Sequence, residues 1–254
     1  MIVLNTSDSD DGLILYTQMA HAQMACQIAS AWKKPEHIAQ SLWDRLIDAI
    51  LSHDDGWHSH DQHPTLDEHG KPNDFKFMPM HQHREIWRRS IALAMGRDWL
   101  AGLLTTMYAK DLYVSYGKHG DADQEFINEL AELTSRVIQD ARKRGDEDQR
   151  IVEPGCLAML LSMFTFWDGL SLTLVGGLPW QADWQFDDGR SMLHVSKSDE
   201  QCFSITPWPL VQDNLPLSIR GMQLSENCWE DEESFQDALN NAHPIVTHVQ
   251  LRSE

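Results

Sequence analysis

The sequence predicts a mainly α-helical protein: a helical bundle with an N-terminal β-hairpin and a small C-terminal β-rich appendage (α+β). Long segments before residue 177 place apolar side chains at the three- and four-residue intervals of a helix. Two short apolar runs open the chain, and more short β-branched runs, separated by polar turns, follow Gly177. We therefore expect a helical domain with the hairpin over residues 1–177 and a small β-rich unit over residues 178–254, packed on the same core.

The hairpin is predicted over residues 1–5 and 13–17, with a turn in the polar stretch between them. A lone two-stranded hairpin has little stability in water. We therefore expect the hairpin to join the C-terminal strands.

The predicted helices are separated by clear breaks. Thr17 is a suitable N-cap for the first helix, because its hydroxyl can accept a hydrogen bond from the first helical turn. An irregular stretch over residues 55–80 is rich in Pro, Gly, Asp and His, and loops of this length inside a domain are usually functional. The predicted helices cover residues 18–32, 36–54, 98–116, 122–144 and 154–175, and a further helix begins at His83.

The helix predicted over residues 154–175 is apolar and long enough to imitate a membrane span. Asp168 is the only charged residue between Glu153 and Asp183. An aspartate in the middle of a membrane helix costs about 2.5–3.5 kcal/mol, and the sequence has no second candidate span. We therefore expect a central buried helix and no membrane partner.

The chain is strongly acidic, with 20 Lys and Arg against 39 Asp and Glu and a formal net charge of −19. Nucleic-acid-binding proteins depend on basic surfaces, so we expect no nucleic-acid partner. The first residues lack the basic and apolar regions of a signal peptide, which favours a cytoplasmic location. Homo-oligomerisation is left open by the sequence.

Four polar residues fall on predicted core-facing positions. His21 lies on the apolar face of its helix, and the apolar stripe of the next helix continues to His53 and Asp54. Asp168 lies on an apolar row of the last helix, where an unpaired carboxylate would be costly to bury. Gly56 is expected to end the helix that carries His53 and Asp54.

The order His21, His53-Asp54, Asp168 on successive helices resembles the HD superfamily, in which four such side chains in a helical bundle hold a divalent metal ion. The resemblance implies that these four residues are the metal ligands of an HD-like helical bundle. Two imidazoles and two carboxylates suit Mn, Fe, Co, Ni or Zn. A water molecule bound to such an ion becomes a nucleophile near neutral pH.

A longer set of motifs is similar to one uncharacterised bacterial family with an HD-like core. The resemblance leads us to expect a histidine near Tyr108, after the Thr105-Thr106 pair, and this chain departs from that pattern. The departure would remove a residue for a second metal ion or for proton transfer. The motifs are the opening MIV at residues 1–3, the HDDGW block at 53–57, the PTLD and GKPNDF segments at 64–67 and 70–75, the helix from His83 to Trp87, the WDGLSL segment at 167–172 and the PWPL segment at 207–210.

The leading functional hypothesis is a metal-dependent hydrolase of phosphomonoesters or phosphodiesters. Its substrate would be a small phosphorylated molecule, attacked by a metal-activated water. Asp55 and His83 are the predicted proton-transfer residues. The candidate cations for a phosphate near these motifs are Lys71, Lys76, Arg84 and Arg88.

Two alternatives stay open. The first is a two-iron oxygenase on the HD scaffold, which would need extra ligands such as His58, His60, His81 and His83. The second is a non-catalytic binding or structural module in which the polar cluster survives as a vestigial metal site, since a fold does not establish an activity.

Overall fold

Strands from both ends of the chain form one seven-stranded sheet. A computed structural model describes residues 1–5, 12–117, 120–185, 192–199 and 201–253. The fold is α+β, with 55% helix, 21% strand and a curled mixed sheet. The expectation of a mainly α-helical bundle with a small β appendage is therefore wrong. The strands are β1 (Ile2–Asn5), β2 (Leu13–Tyr16), β3 (Asp183–Gln185), β4 (Met192–Asp199), β5 (Cys202–Thr206), β6 (Asn214–Leu224) and β7 (His243–Arg252).

The sheet has the order β1-β2-β6-β7-β5-β4-β3. Every neighbouring pair is antiparallel except β5 and β7, which run parallel. Leu15 on β2 lies opposite Met222 on β6, so the hairpin joins the C-terminal strands as expected. The turn predicted between β1 and β2 lies outside the described residues over positions 6–11.

Side-chain alternation explains why β6 is a strand with one covered face. Leu217 and Ile219 are buried, whereas Ser218 and Arg220 between and after them are exposed. The helical layer packs against the buried face. The misjudged size of the β region has a physical cause, because strand partners such as β2 and β6 are about 200 residues apart and a local pattern does not indicate them.

The six predicted helices are present, with ends that differ from the prediction by up to four residues, and the short helices at His58–Gln62, Asp146–Ile151 and Glu232–Asn240 were not predicted. Thr17 Oγ1 accepts a hydrogen bond of 3.0 Å from the backbone N–H of Ala20, which confirms the predicted N-cap. The irregular stretch contains a short 3-10 helix at Asp55–Trp57 and one short α-helix. The α-helices are α1 (Gln18–Ala31), α2 (Gln40–Ser52), α3 (His58–Gln62), α4 (Met80–Arg97), α5 (Trp99–Tyr116), α6 (Asp121–Arg144), α7 (Asp146–Ile151), α8 (Pro154–Leu174) and α9 (Glu232–Asn240).

Gly56 does not end α2 as expected, because that helix already ends at Ser52 and Gly56 lies inside the 3-10 helix. Its role is close packing against α4. A Cβ atom on Gly56 would lie 2.4 Å from Ser90 N and 2.5 Å from Ile86 O. The residues after His53 and Asp54 can therefore approach α4 only because position 56 has no side chain.

The apolar helix α8 lies in the centre of the protein. Among the described residues, it is the one helix with the length and composition to cross a membrane, and 72% of its most apolar window is buried inside the protein. This burial confirms the prediction of a central buried helix. The cytoplasmic location stays a prediction.

Hydrophobic cores lie on both faces of the sheet. The main core fills the space between the helices and the sheet, and includes Trp167 of α8 and Val249 of β7. A smaller core lies under α9, where Phe235 packs with Leu15 and Leu224. The division of the chain into domains at residues 177 and 178 stays a prediction.

Candidate metal centre

Four buried polar side chains from three helical regions meet in the interior. His21 lies on α1, Asp168 lies on α8, and His53 and Asp54 directly follow the last residue of α2. None of the four is more than 4% exposed. One ligand atom from each residue lies within 4.8 Å of the others, so the group could hold a metal ion. The structure thus brings together all four ligands that the sequence predicted.

The distances within this cluster match those between neighbouring ligands of one ion. His21 Nε2 lies 3.1 Å from Asp168 Oδ1 and 3.3 Å from Asp54 Oδ2. His53 Nε2 lies 2.8 Å and 3.2 Å from the same two oxygens. Ligands bound at 2.0–2.2 Å are about 3.0 Å apart at right angles and about 3.5 Å apart at tetrahedral angles.

The tautomer of His53 is determined by the backbone. His53 Nδ1 lies 2.7 Å from the carbonyl oxygen of Ile50, and a carbonyl oxygen only accepts hydrogen bonds. Nδ1 must therefore carry a proton and donate it. In the neutral ring, Nε2 then has a lone pair that faces the carboxylates of Asp54 and Asp168.

The tautomer of His21 is determined by a serine. Ser171 Oγ donates a hydrogen bond of 2.8 Å to the backbone carbonyl of Asp168, which uses its single hydrogen. The same oxygen lies 2.7 Å from His21 Nδ1 and therefore accepts a hydrogen bond from that nitrogen. In the neutral ring, His21 Nε2 then also has a lone pair that faces the carboxylates. Second-layer partners of this kind orient the imidazoles of metal sites.

Without a cation, the cluster must hold protons. Burial by itself would lower the pKa of His53, but the carboxylates of Asp54 and Asp168 raise it well above its usual value. The pKa of His21 is raised in the same way against the effect of burial. Burial would raise the pKa of Asp168, but the facing imidazoles of His21 and His53 lower it instead. Two facing lone pairs and two carboxylates therefore need positive charge between them, from protons or from a metal ion.

Tyr108 is a neighbour of the cluster that the sequence did not identify. Its hydroxyl donates a hydrogen bond to Asp168 Oδ2. Burial, followed by the charge of Asp168, raises the pKa of Tyr108 well above its usual value, so the hydroxyl stays a donor. A tyrosine on an apolar helix face is common in protein cores, so its residue type gives no sign of this contact. The one signal near this position was the absence of the expected histidine.

The two predicted proton-transfer residues lie outside the four-residue cluster. Asp55 Oδ2 is 2.5 Å from Arg97 Nη2. His83 Nε2 accepts a hydrogen bond of 3.3 Å from Trp87, and Nδ1 lies 2.7 Å from the Tyr113 hydroxyl. Burial lowers the pKa of His83 to about 4, so the ring is neutral at physiological pH. The catalytic roles of Asp55 and His83 stay predictions.

Among the described residues, none of the histidines considered for a second metal ion is part of the four-residue cluster, although the charge of Asp54 acts to raise the pKa of His83 against the effect of burial. Across the described parts of the chain, the four-residue cluster is the one group of three or more His, Cys, Asp or Glu side chains with the spacing of a metal site. His58 and His81 are exposed, and His60 packs against the Trp57 ring at 5.7 Å between centroids. This arrangement favours one ion over two.

The candidate cations are mostly occupied by other partners. Arg84 Nη1 lies 2.5 Å from Asp123 Oδ1, and Arg88 Nη2 lies 2.7 Å from Glu129 Oε2. Lys76 Nζ donates a hydrogen bond of 2.8 Å to the carbonyl oxygen of Gly177. Three of the four candidate cations, Lys76, Arg84 and Arg88, therefore already have partners.

Comparison with known families covers most of the chain. Residues 1–226 match the model of a family described as a protein of unknown function, DUF3891. No curated protein and no solved structure matches the chain. The resemblance to the HD superfamily stays an interpretation of the ligand residues, because the matching family carries no such description. Since the match includes all four residues of the cluster and nine-tenths of the sequence, the chain belongs to the DUF3891 family.

Proposed function

We propose that this protein is a metal-dependent hydrolase of phosphomonoesters or phosphodiesters with one divalent ion. His21, His53, Asp54 and Asp168 would hold the ion. One observation carries the proposal: two imidazoles, each held by a hydrogen bond at Nδ1, direct Nε2 at two buried carboxylates. A cluster built only for structural stability has no need for two such oriented lone pairs.

The ligand set supports a metal ion that has coordination positions left for water and substrate. Two nitrogens and two oxygens suit Mn, Fe, Co, Ni or Zn. When bound, such an ion would polarise a phosphoryl oxygen and lower the pKa of a water molecule enough for attack at neutral pH. Asp54 has the largest exposed side-chain fraction of the four, 6% against 1–3%, so solvent and substrate would approach from its side.

The charges around the cluster support the proposal that a phosphorylated substrate would bind only when the ion is present. Arg84, Arg88 and Lys76 already have partners, and His83 is neutral at physiological pH. The protein as a whole carries a formal charge of −19, which repels a phosphorylated substrate over long distances. We therefore expect phosphate affinity to disappear when the ion is removed.

The decisive experiment is elemental analysis of protein purified without added metal or chelator. We expect about one equivalent of Mn, Fe, Co, Ni or Zn in the wild type. His53→Ala should lose the ion, whereas His58→Ala, an exposed histidine five residues later, should retain it. Metal content that is equal in both variants would contradict the ligand assignment.

The activity test follows from the metal content. Hydrolysis of p-nitrophenyl phosphate and of bis(p-nitrophenyl) phosphate should be assayed with each ion, with His53→Ala as the blank and His58→Ala as the control. Activity that follows metal content across the variants supports the hydrolase. Two equivalents of iron would indicate the oxygenase, and a metal-free wild type would indicate a binding or structural module.

A further inference from the structure

The two carboxylate oxygens of Asp168 have different partners. Oδ1 faces the cluster, at 2.8 Å from His53 Nε2 and 3.1 Å from His21 Nε2. Oδ2 instead accepts the hydrogen bond from the Tyr108 hydroxyl. Asp168 therefore has one oxygen free for an ion and one oxygen already bound.

The Tyr108 ring is held in this position by aromatic packing. Its centroid lies 5.5 Å from Phe164, 5.9 Å from Trp87 and 6.4 Å from His53, in edge contacts on each side. Tyr108 is 7% exposed. Because these contacts come from two other helices and from the cluster itself, the hydroxyl cannot leave Asp168 without repacking the core.

We infer that Tyr108 is a positioning residue that restricts Asp168 to binding an ion through one oxygen. The inference rests on the proposed metal centre, but it does not depend on which substrate the centre acts on. Carboxylates bind ions through one or two oxygens, and the second mode uses an additional coordination position.

This restriction decides how many positions remain for other molecules. With one ligand atom from each of the four residues, a six-coordinate ion has two positions left. With both oxygens of Asp168 bound, it has one. Hydrolysis by an activated water needs positions for the water and for an oxygen of the substrate. The Tyr108 hydrogen bond would therefore keep open the coordination position that a substrate oxygen would occupy.

The test compares two tyrosine variants loaded with Co²⁺. Tyr108→Phe removes the hydroxyl next to Asp168. Tyr113→Phe removes a hydroxyl from the same helix, at a residue 2% exposed, whose partner is His83 instead of a cluster residue. Binding is measured by calorimetry, and the visible absorption spectrum of bound Co²⁺ reports its coordination number.

We expect Tyr108→Phe to bind Co²⁺ about 10–100-fold more weakly than the wild type, which is the usual effect of losing a second-layer partner. Its absorption spectrum should differ from that of the wild type, and Tyr113→Phe should match the wild type in both measurements. Equal affinity and spectrum in all three proteins would overturn the role of Tyr108 and leave the metal centre standing. Equal changes in both variants would also overturn it, because they would indicate general packing effects.

A measurement on the wild type covers the case in which Tyr108→Phe does not fold. Water-proton relaxation of the Mn²⁺-loaded wild type counts the exchangeable waters on the ion. We expect two, and one or none would overturn the single-oxygen assignment. A wild type that binds neither Co²⁺ nor Mn²⁺ overturns the metal centre and the role of Tyr108 together.

Discussion

His21 Nδ1 and Ser171 Oγ are 2.7 Å apart, and this hydrogen bond connects α1 to the helix that carries Asp168. The two residues are 150 positions apart in the chain. Because Ser171 also donates to the carbonyl oxygen of Asp168, one serine orients the imidazole and contacts the backbone of the carboxylate residue. The position of the His21 ring relative to Asp168 thus depends on the packing of α1 on α8.

Removing the Ser171 hydroxyl should weaken metal binding. In Ser171→Ala, His21 Nδ1 loses its acceptor, so the ring is no longer held in the tautomer that presents Nε2 to the ion. We expect about a 10-fold loss of Co²⁺ affinity by calorimetry. Ser135→Ala is the matched control, since Ser135 makes the same type of bond to a helix carbonyl at an exposed position of α6. An unchanged affinity in Ser171→Ala would contradict the orienting role.

Metal binding should stabilise the folded protein. A ligand that binds only the folded state, at 100 times its dissociation constant, contributes about 2.7 kcal/mol. For a chain of this size, that free energy raises Tm by about 5–10 °C. We expect this shift in the wild type on addition of a divalent ion, and no shift in Asp168→Asn. Asp44→Asn, an exposed residue of α2, should behave like the wild type.

Metal affinity should rise with pH. The carboxylates raise the pKa of both His21 and His53 against the effect of burial, so the ion-free cluster binds protons that an ion must displace. Calorimetry in two buffers with different ionisation enthalpies should show proton release on Co²⁺ binding. Binding without proton release at pH 6–7 would show that the imidazoles are already neutral there.

The ion-free protein should lose stability as the pH rises. A histidine whose folded pKa is raised contributes its full stabilisation below the unfolded pKa of about 6.5, and that stabilisation is lost as the pH rises through the folded value. The lowered pKa values of Asp54 and Asp168 act at the other end, where stability is lost as the pH falls below the unfolded value of about 3.9. Urea unfolding between pH 6 and 9, with chelator, should show the alkaline loss. Stability that does not change across this range would contradict it.

Adding a methyl group at position 56 should destabilise the protein. The new Cβ of Gly56→Ala would meet backbone atoms of α4 at 2.4 and 2.5 Å, and backbone atoms cannot rotate away as a side chain can. We expect a loss of about 1–3 kcal/mol in the free energy of unfolding. Gly96→Ala on the same helix α4 meets no atom within 4 Å and should gain about 0.5–1 kcal/mol. Similar unfolding free energies for the two variants would show that the contact at Gly56 relaxes without cost.

The sequence by itself determined the six longest helices and which polar residues face the core, whereas the short helices α3, α7 and α9 were not predicted. Helical periodicity is a local property, so the stripe on α2 could be followed directly to His53 and Asp54, and the apolar row of α8 to Asp168. Burying such groups is costly unless each is paired, and the resemblance to the HD superfamily predicted that these four residues are paired with one another.

The tertiary structure alone decided the architecture and the immediate surroundings of the cluster. Strand pairing joins β2 to β6 and β5 to β7 across long separations, and a short apolar run contains no information about its partner. This is why the sheet was expected to be a small appendage. Tyr108 and Ser171 contact the cluster because α5 and α8 pack where they do, and neither residue type signals such a contact. The four residues of the cluster could therefore be identified from the sequence, whereas the hydrogen bonds that orient them depend on helix packing, which is a property of the whole fold.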